Sequence, residues 1–209
     1  MAFTYFFRDR QTLDIIAREV LPVLRGYRYI RIWDAGCADG REAYSLAMVL
    51  RENVTQFGFR NIHIEATDID ATGQFARAVT DGVYPQEDLK RIPPALREKY
   101  FRPARKPEHF RICDEIRRSV SFTQHDLLTL RPPRIGFRLI VCKNVLLHFS
   151  PAQRIEVIQM FHEALAEGGF FVTENTQPLP DEAGLSFERV TCKGQVFRKL
   201  TAATRRTAA

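Results

Sequence analysis

The chain has 209 residues, 45% hydrophobic and 27% charged, enough for one α/β domain with a full core. No apolar run approaches the ~20 residues of a membrane span, and no basic region followed by an apolar stretch opens the chain, so neither membrane insertion nor a secretory leader is expected. An acidic protein substrate accounts for the net charge of +6 as well as nucleic acid does, and without an arginine-rich helix or an aromatic RNA-binding signature no nucleic-acid partner is expected.

In chain order, Thr4 to Asp9 sets three aromatics and Arg8 close to the terminus. Those rings must be buried somewhere, either as a staple for the first helix or as a lid over a pocket. Arg10 to Arg25 follows as an amphipathic helix with Leu13, Ile16, Ala17, Val20, Leu21 and Leu24 on one stripe. Pro22 is expected to kink it or mark its last turn. Tyr29 to Trp33 reads as a strand. Asp34-Ala35-Gly36-Cys37-Ala38-Asp39-Gly40 is a glycine turn, and Ala43, Leu46, Ala47 and Leu50 then share a helical face. Such a turn brings backbone close to a ligand, with the free N–H groups of a helix start beside it. The third glycine of the dinucleotide fingerprint is absent, which disfavours NAD and suits a nucleoside without a pyrophosphate, such as S-adenosylmethionine.

The second strand, Ile62 to Asp68, ends in an acid. That is where doubly wound folds bind ribose hydroxyls. Asp68 is the expected ribose ligand and Asp70 the cap of a helix over Ala71 to Asp81, with Phe75 and Ala78 inward. Tyr84 to Arg118 breaks the βα rhythm with a helical piece at Ala95 to Tyr100 and short basic strand-like runs at Phe101 to Arg105 and Phe110 to Ile116. It reads as an inserted subdomain within one domain spanning 1–209. Val120 to His125 and Phe137 to Cys142 are the third and fourth core strands. Ser150 caps a helix over Pro151 to Ala166, whose buried side is Ile155, Ile158, Phe161, His162 and Leu165. Gly168-Gly169 stops it before a fifth strand, Phe170 to Thr173. Phe187 to Thr191 and Gln195 to Leu200 form a closing antiparallel pair, and the tail from Thr201 to Ala209 is expected to be disordered. Polar residues recur where parallel strands end, at Asp34, Asp68, Asp126 and Asn144, which predicts a ligand crevice there. Cys37, Cys113, Cys142 and Cys192 form no C-x-x-C pair, so reduced thiols in a cytoplasmic protein are expected and no metal site.

Taken together, Phe6 to Asp9, Trp33 to Ser45, Ala66 to Asp70, Gly82-Val83-Tyr84, Tyr100-Phe101, Val120 to Phe122 and Cys142 to Phe149 resemble the chemotaxis receptor methyltransferases, the CheR family, from about Thr4 to Leu200. The resemblance implies a Rossmann-like class I methyltransferase with a small inserted antiparallel β-subdomain. It implies S-adenosylmethionine as cofactor, S-adenosylhomocysteine as product, and methyl transfer to a glutamate carboxylate on a receptor's cytoplasmic helices. By position, it implies Thr4 and Arg8 from an N-terminal lid, with Arg8 beside the reacting groups. Gly36 lies under the methionine part, Glu42 on the methionine amine and Asp68 on the ribose. Asp126 and Leu127 lie near the adenine, Asn144 and Val145 follow the fourth strand, and His148 stands where the family has a tyrosine near the methyl. Arg8 and His148 are the expected catalytic residues. Departures are Arg41 for an acid, Lys143 for an arginine, and Glu174-Asn175-Thr176-Gln177 for Gly-His-Ser-Glu. The family's preceding helical domain, which contributes to receptor docking, is expected to be missing. Other expectations left open are a methyltransferase for another protein or a small molecule, and a module that binds S-adenosylmethionine or its product without turnover.

Overall fold

The computed structural model describes residues 4–174, 179 and 187–200. The expected disordered tail, 201–209, lies outside them, as do Asn175, Thr176 and Gln177. Among the described residues, ten strands form two sheets. The larger contains β1 (Ile30–Ala35), β2 (Ile62–Asp68), β6 (Val120–Gln124), β7 (Phe137–Cys142), β8 (Leu165–Thr173), β9 (Phe187–Arg189) and β10 (Val196–Lys199) in the order β6-β2-β1-β7-β8-β10-β9. β6 to β8 pair in parallel across the sheet, while β10 runs antiparallel to β8 and β9 antiparallel to β10. The order reverses between β1 and β7, which opens a crevice at the carboxyl ends of those strands. The smaller sheet, β3-β5-β4, uses β3 (Val83–Pro85), β4 (Phe101–Pro103) and β5 (His109–Ile112), all antiparallel. The chain is therefore mixed α/β, with a mostly parallel main sheet and a small antiparallel one.

β1 and β7 are buried along nearly their whole length because both faces are covered. Trp33 anchors one face, packing edge-on against Phe161 and donating from Nε1 to Thr67 Oγ1 at 2.8 Å. The helix Arg41–Glu52 buries Ala43, Tyr44, Leu46, Ala47, Met48 and Leu50 against the other.

Several local expectations are corrected. The first helix is interrupted: Arg10–Ile15 is α-helical, Ile16–Val20 is a π-turn, and Leu21–Leu24 resumes. Pro22 has no N–H to give an i−4 carbonyl, and the ladder absorbs that loss one turn upstream. The helix after β2 starts at Gln74, not Ala71, and buries Val79, with Phe75 and Ala78 half-buried. Asp70 still serves its start, accepting from Phe75 N and Ala76 N. Phe110 to Ile116 splits into β5 and a helical turn, Asp114–Arg117. The helix from Pro151 ends at Ala164 and β8 begins directly at Leu165. Gly168 and Gly169 therefore do not end the helix; they lie in the stretch where β8 shifts register against β7. The helix buries Val157 and Met160, whereas Ile155 and His162 are half-buried.

Candidate functional site

A cavity of about 620 Å³ opens at the carboxyl ends of the parallel strands. It is lined by Thr4, Arg8, Gly36, Glu42, Asp68, Asp126, Leu127, Asn144, Val145 and His148, the ten positions singled out from the sequence. Cys37, Ala38, Ile69, His125 and Lys143 also line it. Ile69 and His125 sit beside the strand-end acids Asp68 and Asp126 but were not themselves assigned to the site. His125 lies just beyond β6, with its ring edge-on to Trp33 and Nε2 bonded to Arg131 O at 2.7 Å.

The glycine turn forms the floor. Gly36 has φ +91°, and a Cβ there would lie 2.2 Å from Val145 Cγ2. The N–H groups of Gly36 and Cys37 both donate to Thr67 O, at 2.7 and 3.0 Å, which locks the turn to the end of β2. Asp68 completes the lock: Oδ2 accepts from Ala38 N at 2.9 Å and Oδ1 from Ile69 N at 2.8 Å. Its carboxylate is thus fixed at the rim by two backbone donors while facing the cavity. Asp126 is held similarly, accepting from Leu128 N at 2.9 Å.

The N-terminal segment closes another side. Phe6 is fully buried, edge-on to Tyr84 at 4.9 Å and Phe101 at 5.7 Å, both from the region of the small sheet. Phe7 N donates to Ser45 Oγ at 2.9 Å. These anchors leave Thr4 and Arg8 on the cavity wall, with Arg8 Nη2 donating to Asn144 Oδ1 at 3.0 Å. Asn144 holds a left-handed conformation at φ +59°, and its N–H donates to Glu174 Oε2 at 3.0 Å. Two of the departures prove to be ties within this wall. Arg41 is absent from the cavity lining; it bonds Thr4 O at 3.1 Å, Asp39 at 3.0 Å and Asp88, so it joins the N-terminal segment to the inserted region.

Lys143 is the second tie. Its ammonium is buried between Glu42 Oε2 at 3.0 Å and Asp9 Oδ2 at 3.3 Å. Burial alone would lower its pKa, but Glu42 and Asp9 outweigh that and raise it, so the side chain is a cation. Asp34, expected at the crevice, is instead fully buried behind it and does not line the cavity. Desolvation first, then the charge of Glu42, push its carboxyl well above the usual range.

The site thus combines a nucleoside-sized cleft, a close backbone approach at Gly36 and a fixed carboxylate on the second strand. Residues 2–194 match the family described as CheR methyltransferase, SAM binding domain. The chain belongs to the CheR methyltransferase family. Over 187 residues it is 36% identical to the chemotaxis protein methyltransferase of Listeria monocytogenes, covering 87% of this chain and 68% of that one. Over 208 residues it is 29% identical to the probable chemotaxis protein methyltransferase of Rhizobium etli, covering 92% and 76%. A solved O-methyltransferase family protein from Burkholderia thailandensis superposes with TM-score 0.54 at 13% identity, covering 93% of this chain and 57% of that one, a likeness of fold alone. The CheR chain is accordingly an S-adenosylmethionine-dependent methyltransferase with a class I fold.

Proposed function

We propose that this CheR chain transfers a methyl group to a glutamate carboxylate of a protein, on the cytoplasmic helices of a chemoreceptor, and that it works in the cytoplasm as one domain with the small sheet as its insert. The observation that carries the reading is Arg8, held on the cavity wall by Asn144. A carboxylate acceptor is ionised at neutral pH and needs no general base. It needs a cation to fix its direction, and a guanidinium does this with two parallel bonds.

S-Adenosylmethionine, when bound, supplies a methyl group on a sulfonium. The residues present suit it: Asp68 would accept from the ribose, Glu42 would hold the amino group, and Asp126 with Leu127 would border the base. Gly36, at φ +91° and with no room for a Cβ beside Val145, keeps the turn that would run under the methionine part. Arg8, held by Asn144, aligns the acceptor, and His148 shapes the surroundings of the methyl. Alignment and exclusion of water are the main tasks in an in-line displacement, and positioning of this kind contributes on the order of 7–11 kcal/mol.

The test is transfer of radiolabelled methyl from S-adenosylmethionine to a chemoreceptor cytoplasmic fragment. A carboxyl methyl ester releases volatile methanol in base, and that base-labile label is expected. Label that survives base, or that appears only on small molecules, would overturn the glutamate reading; product binding with no transfer to any acceptor would favour a regulatory module.

A further inference from the structure

β7 and β8 leave the sheet side by side. Cys142 pairs in parallel with Thr173, so Lys143 and Asn144 come off one strand beside Glu174 on the other. Asn144 then turns into the left-handed region at φ +59°, a conformation that L side chains adopt rarely and asparagine more readily than most. Its N–H donates to Glu174 Oε2 at 3.0 Å, and Thr173 Oγ1 donates to the same oxygen at 2.8 Å. Glu174 is 5% exposed and does not line the cavity. Its other oxygen, Oε1, has no hydrogen-bond partner among the described residues, so the bonds of this carboxylate there go to Asn144 and Thr173. Asn144 does line the cavity, and its Oδ1 accepts from Arg8 Nη2 at 3.0 Å. One residue thus has its backbone held by a buried acid while its side chain holds the guanidinium on the cavity wall.

We propose that Glu174 is a positioning residue for the methyl transfer, fixing Arg8 through Asn144 without touching cofactor or acceptor. The inference rests on the reading of Arg8 as the group that orients the acceptor. A carboxylate accepting from a backbone N–H makes a short, directional bond. Here it pins a residue whose backbone would otherwise leave a sparsely populated region. Remove the acceptor, and the Asn144 N–H has to find another, which rotation out of the left-handed region allows. Oδ1 moves with that rotation, and Arg8 loses its contact there. A misplacement of about 1 Å at a reacting group costs up to roughly a hundredfold in rate. The task calls for an oxygen at this reach, so a glutamine in the same place can perform it.

The experiment pairs turnover with structure. Methyl transfer from S-adenosylmethionine to the chemoreceptor cytoplasmic fragment is measured with both at saturation, and S-adenosylhomocysteine binding by calorimetry. The chains compared are the native one, Glu174→Ala, Glu174→Gln, Arg8→Ala and the double variant Arg8→Ala with Glu174→Ala. Glu174→Ala is expected to lower kcat about tenfold and to leave S-adenosylhomocysteine affinity within about threefold. Glu174→Gln is expected to stay within about threefold of the native kcat. The double variant is expected to be no slower than Arg8→Ala alone, because both changes break one connection. Native turnover in Glu174→Ala, an equal loss in Glu174→Gln, or product affinity falling as far as turnover would overturn the proposal. So would a double variant about tenfold slower than Arg8→Ala, which is what a general loosening of the fold gives. Crystal structures of the native chain and Glu174→Ala with S-adenosylhomocysteine follow the same connection with no acceptor present. In the variant Asn144 is expected outside the left-handed region, with Arg8 Nη2 out of hydrogen-bond reach of its Oδ1. Asn144 and Arg8 unmoved would overturn the proposal whatever the acceptor. No transfer by the native chain to the fragment would overturn the glutamate reading instead, and the two crystal structures would still decide the role of Glu174. If Glu174→Ala does not fold, Glu174→Asp, one methylene short of Asn144 N, takes its place with the same expectations.

Discussion

At the residue scale, Asp68 and Arg8 carry separable tasks. Asp68 joins the turn to β2 through Ala38 N and faces the cavity. Losing a charge-assisted bond costs roughly 1.5–3 kcal/mol, so Asp68→Ala is expected to weaken S-adenosylhomocysteine binding about ten- to a hundredfold by calorimetry; unchanged affinity would remove Asp68 from the ribose. Arg8→Ala is expected to lower turnover on the receptor fragment about a hundredfold, with partial rescue in Arg8→Lys. Full turnover with normal cofactor affinity would refute its orienting role. Asp34 makes a stability prediction with a definite sign. Its folded pKa is raised above the unfolded value of about 3.9, so the folded chain binds a proton that the unfolded chain has released. That contribution is present at low pH and is lost as pH climbs from the unfolded value towards the folded one. The melting temperature of Asp34→Asn relative to the native chain should therefore shift in the variant's favour between pH 5 and pH 8. An equal difference at both pH values would contradict this. The spacing of Asp68, Asp126 and Asn144 at strand ends was legible because strand ends follow from hydrophobic runs. The burial of Asp34 was not: β1 runs on to Ala35, past Trp33 where the sequence pattern ends it, and sequence patterns do not resolve that boundary.

At the element scale, the N-terminal segment is held by burial, not by secondary structure. Phe6 has no exposed surface and lies between Tyr84 and Phe101. Phe6→Ala is expected to cost about 3–5 kcal/mol, a drop in melting temperature on the order of 10 °C, together with weaker product binding because Thr4 and Arg8 lose their anchor. A variant with a native melting temperature would show that the segment is not tied down. That these aromatics needed a home was evident from the sequence; that the home would be the inserted region was not, since it depends on contacts between residues about 80 to 95 positions apart. The π-turn at Ile16–Val20 and the shifted register of β8 escaped for another reason. Periodicity assumes one repeat through each element, and both features change it midway.

At the scale of the whole molecule, the strand order β6-β2-β1-β7-β8 places the ten residues assigned to the site around one cavity, with Asp34 buried behind it. Alternating strands and helices predicted that layout, while the partner of each charged residue had to be seen: Arg41 and Lys143 read as departures from the family pattern and are ties within the wall. With a net charge of +6 and exposed Arg102, Arg105, Lys106 and Arg111 on the insert, transfer to an acidic receptor fragment is expected to weaken as salt rises from 50 to 300 mM, while product binding changes little. Equal salt dependence of both would separate the charge from acceptor docking. The most direct test of the account is a crystal structure of the chain grown with S-adenosylhomocysteine. Ribose hydroxyls on Asp68 and the amino group on Glu42, over the Gly36 turn, are expected. Product bound elsewhere, or Asp68 turned away from it, would contradict the account.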